Sequence, residues 1–231
     1  MRPISTAVIV AAGKGKRMGT EISKQFLPLY GKEILAHTVE KFEKTEAVRD
    51  IVLVTGTDSL QDVKDMAREY GWKKVVSITE GGKERQDSVC NGLKRVSEDT
   101  EIVLIHDGVR PFVTEEIIEN SIAVALKMGG CVAGVPAKDT IKVCDANNIA
   151  IATPDRSTLW QIQTPQTFRK DLILKAYEAA KTDGFMGTDD ASLAEHCGYP
   201  VKIIMGSYRN IKITTKEDLL IGEAFLKEEK P

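Results

Sequence analysis

The sequence predicts an α/β fold built on a doubly wound, mostly parallel twisted sheet. Three observations carry this expectation. Short apolar runs rich in β-branched residues recur, too apolar to leave one face in water. Amphipathic stretches at helical spacing lie between them. The two kinds alternate from Ser5 to Pro136.

The first run, Ser5–Ala11, is ended by glycines and suits a strand buried on both faces. A helix is expected over about Glu33–Lys44, where Ile34, Leu35, Val39 and Phe42 share one face. Asp50–Thr55 is the second buried strand. Residues 59–70 read as a helix through Leu60, Val63, Met66 and Ala67, and Lys74–Thr79 as the third strand. Glu84–Ser97 is amphipathic, with Val89, Leu93 and Val96 on one side, and Glu101–His106 is again a strand. Thr114 looks like an N-cap, and Glu115 and Glu116 favour the positive end of the helix that follows. That helix should stop near Gly129-Gly130, before a strand over Cys131–Pro136. In such sheets ligands bind beyond the carboxyl ends of the strands.

Between Ala137 and Gln163 the rhythm breaks. Asp139–Val143 and Ile149–Ala152 flank an Asn147-Asn148 turn, which suggests a hairpin arm. An isolated hairpin is marginal in water, and a partner subunit is one way to support it. Helical patterning returns at about Lys170–Lys181 and Asp189–His196, Val201–Met205 is a strand, and Thr215–Asp218 opens the last helix like a capping box. No internal repeat, linker or low-complexity tract interrupts the chain.

The 231 residues fit one large α/β domain or two small ones. A hydrophobic fraction of 42% is ample for a packed core. Charged residues make up 29%, both signs are interspersed, and the net charge is −2, which argues against a nucleic-acid binder. Any anionic ligand must therefore be held by local basic clusters. Cys90, Cys131, Cys144 and Cys197 are far apart and read as reduced thiols. No cleavable signal and no apolar run of membrane-spanning length is seen, so a soluble cytoplasmic protein is expected.

Several segments carry chemistry. Ala11-Ala12-Gly13-Lys14-Gly15-Lys16-Arg17-Met18-Gly19 follows a buried strand directly. Glycines let the backbone approach a phosphate, and clustered N–H groups form an anion-binding concavity. The dinucleotide pattern needs glycine where Met18 stands, and an acidic residue at the end of the second strand, which instead ends at Thr55-Gly56. A Walker A loop needs Gly-Lys-Ser/Thr, which is missing. Lys24 precedes an apolar anchor and reads either as a surface charge or as a cation turned toward the same phosphates. Gly81–Ser88 is either an ordinary strand-to-helix turn or a holder of base and ribose. Asp107 ends the strongest central strand, where a carboxylate can hold magnesium with substrate phosphates and water; an ion pair with Arg110 is the competing reading. His106 reads as structural. Thr188–Ser192 opens a helix, and Lys212 stands between apolar neighbours, unusual for a merely solvated lysine.

In nine ordered segments the chain closely resembles the 2-C-methyl-D-erythritol 4-phosphate cytidylyltransferases of the non-mevalonate isoprenoid pathway. They are Ala11–Gly19, Lys24–Leu27, Gly81–Ser88, His106–Pro111, Asp139–Lys142, Asp155–Trp160, Gln163–Gln166, Thr188–Ser192 and Asn210–Thr214. The resemblance implies a Rossmann-like nucleotidyltransferase domain over residues 1–231, with a dimerisation arm at about 137–157. It also implies roles. Ala11, Ala12, Gly13 and Gly15 would line the CTP triphosphate, and Arg17 and Lys24 would neutralise phosphate charge. Gly82, Arg85 and Ser88 would surround the cytidine. Asp107 would ligate Mg2+, and Lys212 would contact phosphates at the reacting centre. Thr140 and Arg156 would reach the acceptor bound to the neighbouring subunit of a homodimer, where Thr164 and Thr188 complete the pocket. Many members have two alanines after the aspartate; this chain has Gly108-Val109, and Gly108 preserves the lack of bulk where the backbone is expected to meet the nucleotide.

The implied chemistry is in-line attack of an acceptor phosphate oxygen on the α-phosphorus of CTP, with pyrophosphate leaving and no general base required. A ribitol 5-phosphate cytidylyltransferase is the near alternative. The arm segments and Thr188–Ser192 look closer to the methylerythritol group. A nicotinamide-dependent oxidoreductase lacks its acidic residue here, and a nucleotide-binding module without catalysis would release no pyrophosphate.

Overall fold

The computed structural model describes residues 3–13 and 23–228. In chain order the elements are β1 (Ser5–Ala11), β2 (Pro28–Leu29), β3 (Lys32–Glu33), α1 (Ile34–Lys44), β4 (Asp50–Thr55), α2 (Leu60–Glu69), β5 (Val75–Glu80) and α3 (Arg85–Leu93). They continue with β6 (Ile102–Asp107), α4 (Glu115–Met128), β7 (Gly130–Pro136), β8 (Val143–Cys144), β9 (Ala150–Ala152), β10 (Trp160–Arg169), α5 (Lys170–Asp183), α6 (Asp190–His196), β11 (Lys202–Met205) and α7 (Lys216–Glu228).

Seven strands form one sheet in the order β11-β7-β10-β6-β1-β4-β5. All neighbours are parallel except β10, which runs antiparallel to both β6 and β7. The central strands β1, β4 and β6 read as apolar runs because both faces are covered. Ala7, Ile9, Leu53 and Leu104 pack under α1, α2 and α4, while Val8, Val52, Val54, Val103 and Ile105 pack under α3, α5 and α6. Each such side chain, taken fully out of water, contributes about 1.5–3 kcal/mol. A third cluster joins Leu29, Ile34, Val109, Phe112 and Ile213 to the inner face of α7.

The helix ends follow their local chemistry. The Thr114 side chain accepts from Ile117 N–H, and α4 stops at Gly129, whose φ of 91° suits glycine. Asp218 accepts from the Thr214 and Thr215 N–H groups while its own N–H donates to Thr215, the expected capping box of α7.

Two expectations change. The amphipathic pattern over Glu84–Ser97 overruns the helix, which ends at Leu93. Gly92 lies close against Val8 and Val54, and the chain turns there, with Arg95 N–H donating to Gly92 C=O. The segment Trp160–Arg169, to which the sequence pattern assigns no strand, is a ten-residue strand inside the sheet. Its glutamines, threonines and Pro165 disguise it. Its pairing to β7 slips between Ile162 and Gln166, around the proline that cannot donate to the ladder. Between β7 and this strand, β8 and β9 pair as a small antiparallel ladder whose residues are all exposed.

Connections leave β1 toward β4 and leave β6 toward β7, so the switch point lies between the carboxyl ends of β1 and β6. Val10 and Asp107 face one another there in register. Phe168 of β10 is fully buried in the cluster beneath α5 and α6. Phe168→Ala should lower unfolding stability by about 3–5 kcal/mol, measured by urea denaturation, because the rigid sheet cannot collapse around the void.

Candidate active site

A cavity of about 210 Å3 opens at this switch point. Its wall includes Ala11, Ala12 and Gly13 after β1, Lys24 and Gln25 from the short turn that follows, Gly82, Arg85 and Ser88 at the start of α3, Asp107 at the end of β6, and Lys212. A second cavity of about 290 Å3 shares Arg85, Asp107 and Lys212 and adds Arg110, Gln163, Thr164, Thr188 and Asp189.

The Gly81-Gly82 turn is shaped by close approach. A Cβ on Gly81 would lie 2.4 Å from Ala12 Cβ, and one on Gly82 would lie 2.2 Å from Asp87 Cβ. Only glycine therefore lets the first turn of α3 reach the end of β1. Ser88 Oγ accepts from Gly82 N–H at 3.0 Å and donates to Glu84 C=O at 3.1 Å, which holds the turn shut.

Asp107 is the electrostatic centre. Its Oδ1 accepts from Arg85 Nε at 3.2 Å, and its Oδ2 lies 2.8 Å from Lys212 Nζ and 3.5 Å from Arg110 Nε. Burial alone would push this carboxyl up; Arg85, Lys212 and Arg110 overcome it and hold the group well below the usual carboxylate range. The ion pair with Arg110 is thus present, as one of three. Arg110 is placed by its own contact, Nη1 donating to Asn210 C=O at 2.8 Å.

Behind Asp107 a polar network ties three segments together. Asp107 N–H donates to Thr164 Oγ1 at 3.1 Å. The Arg110 carbonyl can only accept, so His106 Nε2–H donates to it at 3.2 Å, and Nδ1 of the neutral ring accepts from the Thr164 hydroxyl at 3.0 Å. Asn210 Nδ2 donates to Thr164 C=O at 2.9 Å and to Gln163 Oε1 at 3.2 Å, anchoring the loop that carries Lys212.

The sequence profile of the 2-C-methyl-D-erythritol 4-phosphate cytidylyltransferase family matches residues 5–228. The chain is 52% identical to the 2-C-methyl-D-erythritol 4-phosphate cytidylyltransferase of Alkaliphilus oremlandii, over 96% of this chain and 95% of that protein. It is 50% identical to the one from Geotalea uraniireducens, over 96% of each. The crystal structure of 4-diphosphocytidyl-2C-methyl-D-erythritol synthase from Anaerococcus prevotii superposes with a TM-score of 0.88 at 33% identity, over 98% of this chain and 100% of that one.

The chain belongs to the 2-C-methyl-D-erythritol 4-phosphate cytidylyltransferase family.

Against this membership the residues anticipated from sequence divide into groups. Ala11, Ala12, Gly13, Lys24, Gly82, Arg85, Ser88, Asp107 and Lys212 come together around the first cavity, and Thr164 and Thr188 line the second. Gly108 lies behind the floor; its N–H donates to Val10 C=O at 2.8 Å, its C=O accepts from Thr38 at 3.0 Å, and an added Cβ would come within 2.9 Å of Ala11 Cβ. Thr140 and Arg156 are exposed on the arm and its root, where Arg156 Nη1 donates to Lys138 C=O at 2.8 Å. Gly15 and Arg17 lie outside the described residues. Sequence reasoning for this cytidylyltransferase family member passed over Gln163, Asn210 and Asp190 as site-shaping groups. Polar residues in a buried strand and helix start give that signal only once their burial is known.

Burial pushes the His106 imidazole down to about 4. Between that value and the ordinary 6.5, the unfolded chain binds a proton that the folded one does not. Stability is therefore complete above about pH 6.5 and lost as pH falls toward 4, by on the order of 3 kcal/mol. His37, also lowered by burial, acts in the same direction. Urea unfolding at pH 7.5 and pH 5 should show a smaller pH difference in His106→Gln than in the parent chain.

Proposed function

We propose that the chain transfers the cytidylyl group of CTP to 2-C-methyl-D-erythritol 4-phosphate, giving 4-diphosphocytidyl-2-C-methyl-D-erythritol and pyrophosphate. The observation that carries this reading is the convergence of Arg85, Arg110 and Lys212 on the buried Asp107 carboxylate, on the wall shared by two cavities. An acceptor phosphate oxygen is anionic at neutral pH and needs no base. What the reaction requires is two phosphate groups held in line and their charge offset.

The first cavity takes CTP. Ala11, Ala12 and Gly13, with Gly15, present backbone to the triphosphate, Gly82, Arg85 and Ser88 frame the cytidine, and Gly108 sets the depth of the floor. Arg17, Lys24 and Lys212 neutralise charge developing on the phosphates. The second cavity takes the acceptor, against Thr164 and Thr188. Thr140 and Arg156 on the arm reach the acceptor bound by the neighbouring copy of a homodimer. Exposed Ile149 and Ile151, at 62% and 65%, support an arm that is covered by a second chain. Residues 1–231 then form one nucleotidyltransferase domain with an arm at about 137–157. No helix among the described residues is long and apolar enough to cross a membrane, in keeping with a cytoplasmic enzyme.

Magnesium fits the donor set. Among the described residues no group of three or more His, Cys, Asp or Glu side chains could hold a metal ion by itself, and Asp107 would supply the one hard carboxylate magnesium needs when phosphates and water complete its shell. Bound there, it would add positive charge to the triphosphate. Lys212, 2.8 Å from Asp107, would shift from carboxylate to phosphate as charge redistributes.

Pyrophosphate release from CTP and magnesium should be rapid with methylerythritol phosphate and slow with ribitol 5-phosphate; the reverse order would reassign the acceptor. In the same assay Lys24→Ala and Lys212→Ala should each reduce turnover by about a hundredfold or more while circular dichroism stays unchanged. Near-normal turnover in either variant counts against its role. Ile149→Asp combined with Ile151→Asp should convert the dimer to monomer in sedimentation; a dimer that survives the change is not formed through the arm.

A further inference from the structure

Asp190, the first residue of α6, is completely buried. A carboxylate without water needs a cation or several donors. Tyr177 Oη donates to its Oδ1 at 2.6 Å, and Arg85 Nη2 donates to its Oδ2 at 2.8 Å. Its backbone is fixed as firmly. The N–H groups of Asp190 and Ala191 both donate to Gln166 Oε1 at 2.9 Å, and Gln166 Nε2 donates to Asp189 Oδ2 at 2.8 Å. Residues from β10, α5 and α6 thus lock one carboxylate in place. Burial and the Asp190 charge hold the Tyr177 phenol far above its ordinary range, so it remains a donor. Tyr177 and Asp190 take no part in the transfer described above.

Arg85 stands between this locked carboxylate and the reaction floor. One edge of its guanidinium goes to Asp190, and its Nε goes to Asp107 at 3.2 Å. It lines both cavities. With Asp107 as its single anion, a guanidinium would close on it in the two-point geometry that arginine favours. It would then cover the carboxylate and crowd the floor on which both substrates' phosphates meet.

We infer that Asp190, oriented by Tyr177, is a positioning residue that holds Arg85 on the wall between the two cavities and keeps it from collapsing onto Asp107. The inference rests on the reading of Arg85 as part of the cytidylyl-transfer site.

The test is steady-state pyrophosphate release with CTP and methylerythritol phosphate for Arg85→Lys, Asp190→Asn, Tyr177→Phe, and Arg85→Lys combined with Asp190→Asn. Lysine keeps the charge but lacks the planar fork through which Nε and Nη2 of Arg85 reach the two carboxylates. Arg85→Lys and Asp190→Asn should each lower kcat/KM by on the order of tenfold to a hundredfold, the scale of misplacing a group at the reacting centre. Tyr177→Phe should lower it by roughly threefold to tenfold, the scale of one lost hydrogen bond to a charged group. Because Asp190 acts through Arg85, the double variant should be no slower than Arg85→Lys alone. Single effects that multiply in the double variant overturn the inference. So does an Asp190→Asn protein whose melting temperature falls while kcat/KM, measured well below that temperature, is unchanged, since that is what a purely structural carboxylate predicts. Should Asp190→Asn not fold, Tyr177→Phe decides alone: unchanged kcat/KM in the folded variant refutes the positioning role. Wild-type turnover in Arg85→Lys has a different meaning, since it removes Arg85 from the transfer site and defeats the parent reading.

Discussion

Everything at the candidate site depends on one buried negative charge. Asp107 draws Arg85 from α3, Arg110 from the loop after β6, and Lys212 from a segment a hundred residues further on. Cations placed so close together repel one another; the carboxylate makes their convergence possible. Along the first cavity Lys24, Lys83, Arg85 and Lys212 stand against Glu84 and Asp107. A chain with a formal charge of −2 therefore presents a positive pocket at the switch point of its sheet. On the proposed reading, this local field and not the overall charge would attract a triphosphate.

The cage needs a rigid support, and the antiparallel strand β10 provides it. A strand carrying Gln163, Thr164 and Gln166 is an odd choice for the middle of a sheet, because buried polar groups are costly unless partnered. Here each has a use. Thr164 links Asp107 to His106, Gln163 reaches Ser207 and Asn210 in the loop before Lys212, and Gln166 grips the start of α6. The strand joins the segments that carry Asp107, Lys212 and Asp190. Paired buried polar groups of this kind hold the strand and its partners in one arrangement.

The same strand marks where the sequence stops being readable. The buried parallel strands were legible to within a residue or so, because burial on both faces demands long apolar runs and nothing else produces them. Thr114 and Thr215 announced their helices through capping chemistry that depends only on near neighbours. Strand β10 obeys no local rule. Its polar residues are tolerable only because of partners 23 to 58 positions away, and no window of sequence contains those partners. For the same reason the site was recognisable as a set of basic and glycine-rich segments, while its organisation was not. That Asp107 serves three cations, and that Arg85 serves two carboxylates, are facts of tertiary placement. The overrun of α3 has the opposite character: the amphipathic pattern continues past Leu93, but the chain leaves the helix there, with Arg95 N–H donating to Gly92 C=O and Val96 N–H to Leu93 C=O.

A histidine beside the cation cage invites assignment as a general base, and the geometry excludes it. His106 is fully buried, its Nδ1 is taken by Thr164 and its Nε2 by the Arg110 carbonyl, and its ring packs on Phe42 with centroids 4.9 Å apart. Protonating it would break the bond to Thr164 and place a fourth positive charge beside three cations. Its value is as a neutral strut: it fixes the backbone of Arg110 on one side and Thr164 on the other. A nucleophile that is already an anion makes no demand for a base, so a site in which Thr164, Asn210 and His106 hold charged segments in position suits such a reaction. The chemistry left for the protein is electrostatic, and accuracy in placing Arg85, Arg110 and Lys212 is what the rest of the fold supplies.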